Sequence, residues 1–326
     1  MLAALKRYPH TVRLLLTTTF ALTVARALTL PYLVVYLADN FQLPISQIGL
    51  LIGGALIVAS LLSLYGGHLV DTLSNHTLVS ASTLLFALAF VGAVASRSAL
   101  PFFFCLVLIN LALAVVDIAA KAGFCALLPV DERAEVFAIK YTLSNVGYAT
   151  GPLLGVAMLE LNDHVPFLAS ALLGLAMCLA YWRLGDRSLQ ASAPDKPVAG
   201  FGQVALGLAR DRRLVCFTVG GVLSAVVFGQ FTAYLSQYLV VTSNPAEAAR
   251  LIGYLVTTNA VTVIALQYLI GRRISRQRLM PWLLAGMGLF IAGLLGFALA
   301  GSVLAWCLAM LVFTLGEIIV IPAEYM

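Results

Sequence analysis

Long apolar segments separated by short polar connections make up most of the chain. A helix needs roughly 20 apolar residues to cross the core of a bilayer. By that measure the pattern predicts ten membrane-spanning helices, at residues 14–38, 48–69, 77–96, 101–120, 136–158, 165–184, 214–239, 251–270, 279–299 and 302–321.

One polar stretch is longer than the others and follows the sixth predicted span. It divides the chain into a predicted N-terminal six-helix bundle (1–185), a linker (186–213) and a four-helix bundle (214–326). The first apolar run is too long for a cleavable signal, whose apolar part has roughly 7–15 residues. The chain stops directly after the tenth predicted span, as a truncated chain would. If the architecture consists of two six-helix halves, we expect the last two helices to be missing.

The composition fits this pattern. Hydrophobic residues make up 62% of the chain and charged residues only 10%, whereas soluble proteins carry about 25% charged residues. The chain is therefore predicted to be an all-α polytopic membrane protein. Its net charge of +5 then reflects topology and not nucleic-acid binding, since basic residues concentrate in cytoplasmic loops.

The basic residues also predict the orientation. If the N-terminus is cytoplasmic, nearly all of the 19 Lys and Arg residues fall on the cytoplasmic side or at its helix ends. The exceptions are Arg97 and Arg250 outside and Arg26 within the membrane. This bias predicts a cytoplasmic N-terminus.

Arg26 lies near the middle of the first predicted span, where a charge costs about 2.5–3.5 kcal/mol on insertion scales. One interpretation is a cation that lines a cavity and binds an anionic group or tunes a coupling acid. The other is a structural arginine held by backbone carbonyls or a neighbouring acid.

Asp117 and Glu317 are the acidic candidates for proton coupling. Asp117 lies about 12 Å from Arg26 in membrane depth, at about 1.5 Å per residue, so a direct pair is not expected. Lys121 follows Asp117 by four residues, on the same helix face, and an ion pair between them is the structural alternative. Glu317 is either a proton site or substrate anchor, or a structural group near a kink at Pro322.

Polar side chains recur at helical spacing in two spans. In lipid such stripes must turn away from the hydrocarbon, so they line a central cavity or bond to neighbouring helices. The candidates are Tyr141, Asn145 and Tyr148 in the fifth span and Gln230, Tyr234 and Gln237 in the seventh.

Three glycines share one face of the fifth predicted span. Gly147, Gly151 and Gly155 recur every fourth residue, with Pro152 beside the second. A face without side chains allows another helix to approach closely. We expect this glycine face to pack against the C-terminal half.

Several motifs resemble those of the major facilitator superfamily. Gly67-His68-Leu69-Val70-Asp71 resembles its G-x-x-x-D loop motif after the second span, although Ser74, Asn75 and His76 replace the glycine and basic pair that follow there. The glycine face with Pro152 resembles the fifth-span motif of the family's antiporter branch. Gly316-Glu317 with Pro322 is similar to the tenth span of drug and metabolite exporters.

This resemblance implies the major-facilitator fold with ten of twelve helices, and a latch role for Asp71 with Gly67. It also implies location in a bacterial inner membrane and proton-coupled efflux of drugs, dipeptides or amino acids. The alternatives are a proton-linked importer of sugars, amino acids or peptides, or a scaffold or sensor that transports nothing.

The expected partners are a small-molecule substrate, protons and the lipid bilayer. We expect a monomer that is not an enzyme and carries no cofactor. No metal site is predicted, because the four histidines are scattered and none of the five cysteines forms a CxxC pair.

Overall fold

The computed structural model describes residues 6–29, 32–187, 200–242, 245–274 and 278–324. Within these ranges the regular structure is helical and no strand occurs. In chain order the helices are α1 (His10–Thr29), α2 (Leu33–Phe41), α3 (Ile45–Ser63), α4 (Gly66–Thr72), α5 (Asn75–Ala95), α6 (Ala99–Leu127), α7 (Val130–Leu159), α8 (Val165–Leu184), α9 (Phe201–Arg210), α10 (Arg212–Thr242), α11 (Pro245–Gly271), α12 (Leu279–Leu299) and α13 (Val303–Ala323).

Eight helical segments of the described chain are long and apolar enough to cross a membrane. They comprise α1, α3 with α4, α5, α6, α8, most of α11, α12 and α13. The prediction of ten spans is not confirmed. The helix α7 does not meet this measure, and part of α10 lies outside the residues whose side chains are described. In α7 the charged residues of the first turns are followed by polar residues and glycines, which lower the hydropathy of its apolar part.

One predicted span and the predicted linker contain helices that the hydropathy pattern did not separate. The predicted span 14–38 corresponds to two helices, α1 and α2, and the predicted linker 186–213 contains the helix α9. In the linker, the overall polarity of the stretch concealed a short helix with apolar residues on one side. Residues 188–199 of that linker lie outside the described residues.

The chain divides into two compact units. Unit 1 comprises Met1–Leu128 with Val146–Val198, and unit 2 comprises Pro129–Asn145 with Ala199–Met326. The helix α7 is therefore shared, since its first half groups with unit 2 and its second half with unit 1. The predicted domain limits stay a prediction.

Unit 1 is organised around α5, α6 and α8, with α1 packed on α8 and α3 on α6. Its core is aromatic, and Phe86, Phe90, Phe102 and Phe167 are almost fully buried there. A Cβ atom at Gly174 of α8 would lie 2.8 Å from the Phe86 ring. A larger residue there would therefore push α8 away from α5.

Unit 2 is organised around α13, which packs on α12 and α11. Glycines make the α12–α13 contact close: a Cβ atom at Gly293 would lie 2.7 Å from Phe313 Cβ, and one at Gly316 would lie 2.8 Å from the Gly286 carbonyl oxygen. This packing holds α13, which carries Glu317, in a fixed position against its neighbours.

Candidate functional site

Glu317 on α13 is an acidic side chain buried inside unit 2, with 1% of its surface exposed. It lies in the last third of a helix that is long and apolar enough to span a membrane. An ionisable group in such a position is expensive to maintain and is a candidate functional residue for that reason.

Two neutral side chains from two other helices donate hydrogen bonds to this carboxyl group, and one of them also bonds to Thr314 on α13. Tyr141 on α7 donates a hydrogen bond to Glu317 Oε1. Asn259 on α11 donates one to Glu317 Oε2 at 2.7 Å and one to Thr314 Oγ1 at 3.0 Å. Both carboxyl oxygens therefore have a donor. We call the four residues Tyr141, Asn259, Thr314 and Glu317 of unit 2 the Glu317 cluster.

The sequence positions these residues through ordinary helix periodicity. Thr314 and Glu317 are three residues apart on α13 and share a face. The Thr314 hydroxyl in turn donates to the Met310 carbonyl at 2.8 Å. Because α11 packs on α13, Asn259 can bridge Thr314 and Glu317 with a single amide group.

The charge balance of the cluster is unusual for a buried acid. Among the residues that the structure describes, no lysine or arginine forms an ion pair with Glu317. Its partners can adapt to either protonation state, since a phenol both donates and accepts and an amide carries a donor and an acceptor. The arrangement can therefore hold a carboxylate through two donors, or a protonated acid without an unmatched charge.

A second set of contacts in unit 2 joins the first half of α7 to the last turns of α11. Tyr268 donates to Glu135 Oε1 at 2.9 Å, and the Arg272 guanidinium lies 5.8 Å from the centre of the Tyr268 ring. A Cβ atom at Gly271 would collide with Ala138. The first half of α7 is therefore held in unit 2 at two places, by these contacts near Glu135 and Ala138 and by the hydrogen bond from Tyr141 to Glu317.

In unit 1, Arg26 on α1 is half-buried and donates through Nη1 to Asn110 Oδ1 on α6. The Asn110 amide is itself oriented, because its Nδ2 donates to the Leu106 carbonyl at 2.8 Å. In the described part of the chain no acidic side chain forms an ion pair with Arg26. A guanidinium with five N–H donors thus has a neutral amide as its side-chain partner.

Comparison with known proteins identifies the family. The model of the Major Facilitator Superfamily matches residues 15–325. The chain belongs to the major facilitator superfamily. The family predicted from the motifs is confirmed, and as a transporter of this superfamily the chain is not an enzyme.

Relatives and solved structures agree with this assignment. The chain is similar to the uncharacterized MFS-type transporter YdeE of Escherichia coli, with 31% identity over 313 residues, 96% of this chain and 78% of that protein. It is 24% identical to the multidrug resistance protein MdtH of Cronobacter sakazakii, over 90% of this chain and 72% of that one. The human organic anion transporter MFSD10 has the same fold, with a TM-score of 0.74, 17% identity and coverage of 97% of this chain and 84% of MFSD10.

The glycine face of α7 does not pack as the sequence led us to expect. Its nearest neighbours belong to α1: a Cβ atom at Gly147 would lie 3.1 Å from Thr23 Cγ2, and one at Gly151 would collide with Ala27. At Gly155 an added Cβ would collide with the Leu28 carbonyl. The expected contact with the C-terminal half is therefore wrong. The spacing showed that a close neighbour exists but carried no information about which helix supplies it. Pro152 lies inside α7, as predicted for this motif.

Asp117 on α6 forms the ion pair that was its structural alternative. Lys121 Nζ lies 2.8 Å from Asp117 Oδ2, and both side chains are partly exposed. The pair connects residues i and i+4 of one helix, and exposed pairs of this kind contribute about 0.3–0.5 kcal/mol.

The predicted latch residues lie on α4, a short helix of unit 1. Gly66 rather than Gly67 makes the close contact, since a Cβ atom at Gly66 would lie 3.1 Å from Ile118 Cδ1, whereas the space around Gly67 is open. Asp71 is exposed in the last turn of α4. The latch role of Gly67 and Asp71 stays a prediction.

The two predicted polar stripes have different outcomes. In α7, Tyr141 belongs to the Glu317 cluster, Asn145 donates back to the Tyr141 carbonyl at 3.0 Å, and Tyr148 is 49% exposed. In α10 the side chains of Gln230, Tyr234 and Gln237 lie outside the described residues, so that stripe stays a prediction.

The sequence did not single out Asn110, Thr314 or the Tyr268–Glu135 contact. A usable signal existed for Asn110, because it interrupts an apolar stretch within α6. Thr314 and Tyr268 are common residues of membrane helices and carry no such signal. No group of three or more histidine, cysteine or acidic residues is close enough to hold a metal ion, within the ranges described above.

Proposed function

We propose that the chain is a proton-coupled secondary transporter that exports small amphipathic or zwitterionic solutes such as drugs, dipeptides or amino acids. The observation that carries the proposal is the Glu317 cluster, in which a buried acid accepts hydrogen bonds from neutral donors on two other helices. A group in this environment can exchange a proton without leaving a charged partner behind.

The cluster suggests how a proton would act on the protein. The carboxylate needs the hydrogen bonds from Tyr141 and Asn259 to compensate for its burial. A protonated Glu317 needs them less, so the attachment of Tyr141 to α13 is weaker in that state. Since Tyr141 belongs to the half of α7 that groups with unit 2, the protonation state would bias how that half-helix is held.

Arg26 is proposed as an anchor for the anionic group of the solute. Asn110 orients its guanidinium, and the planar N–H fork matches the geometry of a carboxylate. A zwitterionic solute satisfies this cation and brings little net charge into the membrane. The similarity of the chain to the multidrug resistance protein MdtH supports a small solute.

The proposed arrangement keeps α7 and α10 as the two further spans, which gives six helices before the linker and four after it. The N-terminus is proposed to be cytoplasmic, in the inner membrane of a bacterium, and the working unit is proposed to be a monomer. Transport then follows alternating access around a site near the middle of the membrane. Proton entry from outside drives the exit of a cytoplasmic solute.

The test is solute uptake into inverted membrane vesicles with an imposed proton gradient, using a panel of dipeptides, amino acids and cationic drugs. Accumulation that disappears when an ionophore collapses the gradient supports proton-coupled export. Accumulation that survives the ionophore would reject proton coupling. Solute uptake into right-side-out vesicles, driven by the same gradient, would instead identify an importer. If no solute of the panel showed counterflow at matched expression, a scaffold or sensor would be favoured.

A further inference from the structure

The helix α9 lies outside the proposed transport mechanism. It has ten residues, Phe201–Arg210, between α8 and α10. At about 1.5 Å per residue its length is about 15 Å, half of the roughly 30 Å thickness of the hydrocarbon core. This helix therefore cannot cross the bilayer, although it carries several large apolar side chains.

Those side chains are sorted by helix geometry. Phe201, Val204, Ala205 and Leu208 occupy positions i, i+3, i+4 and i+7, which fall on one face of a helix. Gln203 and Arg210 lie on the opposite face. We call the four apolar residues the apolar face of α9.

This apolar face lies at the surface of unit 2. Val204 is 37% exposed and Leu208 52% exposed, and all residues of α9 belong to the exposed class. Unit 2 thus leaves open to its surroundings a face whose composition suits an apolar environment.

Basic residues follow the apolar face at once. Arg210, Arg212 and Arg213 surround a single acid, Asp211. The Asp211 carboxylate accepts hydrogen bonds from the backbone N–H groups of Arg213 and Leu214 at 2.9 and 3.2 Å, so it caps the start of α10. The three arginines outnumber this one acid, so the segment carries a positive net charge.

The junction between α9 and α10 restricts where α9 can lie. Asp211 alone separates the two helices, and α10 includes the seventh predicted span. Leu208 and the arginines therefore lie within about one turn of the start of a predicted membrane helix, and the rest of the apolar face lies within about three turns of it. A short amphipathic helix with arginines at its end is the type of element that lies in a membrane interface.

We propose that α9 docks on the surface of the bilayer, with Val204 and Leu208 inserted among the lipids and the arginines bound to anionic headgroups. The charge of the three arginines selects an anionic lipid surface over a zwitterionic one, since each basic residue near such a surface adds to the attraction. This docking anchors the end of the linker at the start of α10 and is independent of the transported solute.

The experiment uses the full-length chain reconstituted in liposomes, with its cysteines replaced by alanine and one reporter cysteine introduced. Val204→Cys and Leu208→Cys report on the apolar face, and Gln203→Cys reports on the opposite face of the same helix. Each reporter carries an environment-sensitive fluorophore, and lipids brominated on their acyl chains are the quencher. Liposomes of phosphatidylcholine alone are compared with liposomes that contain phosphatidylglycerol.

We expect bromolipid quenching at positions 204 and 208 to exceed that at 203 at least about two-fold, as for a helix with one face in the acyl boundary. The difference should grow with phosphatidylglycerol and shrink when Arg210, Arg212 and Arg213 are all replaced by glutamine. Equal quenching at all three positions would overturn the proposal. Shielding of Val204 from water without quenching would mean that protein covers the face, which also overturns it. A response that ignores both phosphatidylglycerol and the arginines would overturn the anionic-lipid part.

A matched pair of substitutions controls for folding. Leu206 is 53% exposed on α9 but lies away from the apolar face. In a chain labelled at position 204, Leu208→Asp should reduce quenching, whereas Leu206→Asp should leave it almost unchanged. Equal losses from both substitutions would attribute the quenching to general disruption of the helix and reject the docked orientation.

Discussion

Tyr141 donates its phenolic hydrogen to Glu317, a residue 176 positions further along the chain. This bond joins the first half of α7 to α13 within one compact unit. The acceptor is the acid proposed to exchange a proton. Protonation of Glu317 would therefore directly change the hydrogen bond that holds the first half of α7. It is the relationship on which the first two predictions depend.

Glu317→Gln should uncouple transport from the proton gradient. The amide keeps the size of the side chain and can still form hydrogen bonds with Tyr141 and Asn259. Unlike the carboxyl group, it does not gain or lose a proton during transport. We expect gradient-driven uptake to fall at least about ten-fold, a change of about 1.4 kcal/mol in barrier height, while solute counterflow without a gradient persists. The measurement is radiolabelled uptake in proteoliposomes with and without the gradient.

Asp117→Asn is the comparison for that experiment, because Asp117 was the other acidic candidate and is paired with Lys121. Its coupled uptake should stay near that of the unmodified chain. Glu160→Gln, at an exposed acid beyond the end of α7, controls for the loss of a charge. Loss of coupling in the Asp117 variant, with coupling kept in the Glu317 variant, would transfer the role to Asp117.

Tyr141→Phe should slow coupled transport through Glu317. The change removes a single hydroxyl, and a hydrogen bond to a charged group contributes about 1.5–3 kcal/mol when the carboxylate is ionised. Because the effect acts through Glu317, Tyr141→Phe should add little in the Glu317→Gln background. Uptake rates of the two single variants and the double variant measure this coupling, and Tyr254→Phe on α11, at an exposed tyrosine, is the matched control. Additive effects of the two substitutions would contradict the assignment.

Glu317 itself could be found from the sequence, whereas its partners could not. A carboxyl group in a long apolar segment is conspicuous, and hydropathy alone marks it as costly. Tyr141 was recognised only as part of a polar stripe, because its partner depends on how α7 packs against α13, which no local pattern encodes. The same limit explains the glycine face, where spacing predicted a close contact but not that α1 provides it.

The helix α9 shows a different limit. Periodicity over ten residues was present in the linker, but the average polarity of the whole stretch concealed it. The helices α7 and α10 show a further limit. The predicted spans 136–158 and 214–239 are helical, but helical structure alone does not establish that a segment crosses a membrane.

Arg26→Gln should weaken the binding of solutes through their carboxylate. A charge-assisted hydrogen bond contributes about 1.5–3 kcal/mol, so affinity for a dipeptide with a free carboxylate should fall about ten-fold or more. Affinity for the same dipeptide with an amidated C-terminus should change little. Competition against a labelled substrate measures both, and Arg97→Gln, at an exposed arginine, is the control. Equal losses for the acid and the amide would show that Arg26 supports the structure and does not bind the solute.

Arg26→Lys gives a finer test of the same contact. Lysine keeps the charge but lacks the planar fork that matches a carboxylate in two places. We expect an affinity for the acid between those of the glutamine variant and the unmodified chain. Full recovery with lysine would indicate that charge alone is recognised.

Gly151→Ala should destabilise unit 1, because the added methyl group would collide with Ala27 on α1. Overpacking a close contact costs about 1–3 kcal/mol, so the melting temperature of the purified protein in detergent should fall. Ala27→Gly removes the opposing methyl group and should restore much of the lost stability when combined with Gly151→Ala. Gly53→Ala is the control, since the space at Gly53 on α3 is open and alanine is the better helix former by about 1 kcal/mol. A Gly151→Ala variant that melts normally but no longer transports would show that the glycine face serves a moving contact and not the fixed contact with α1.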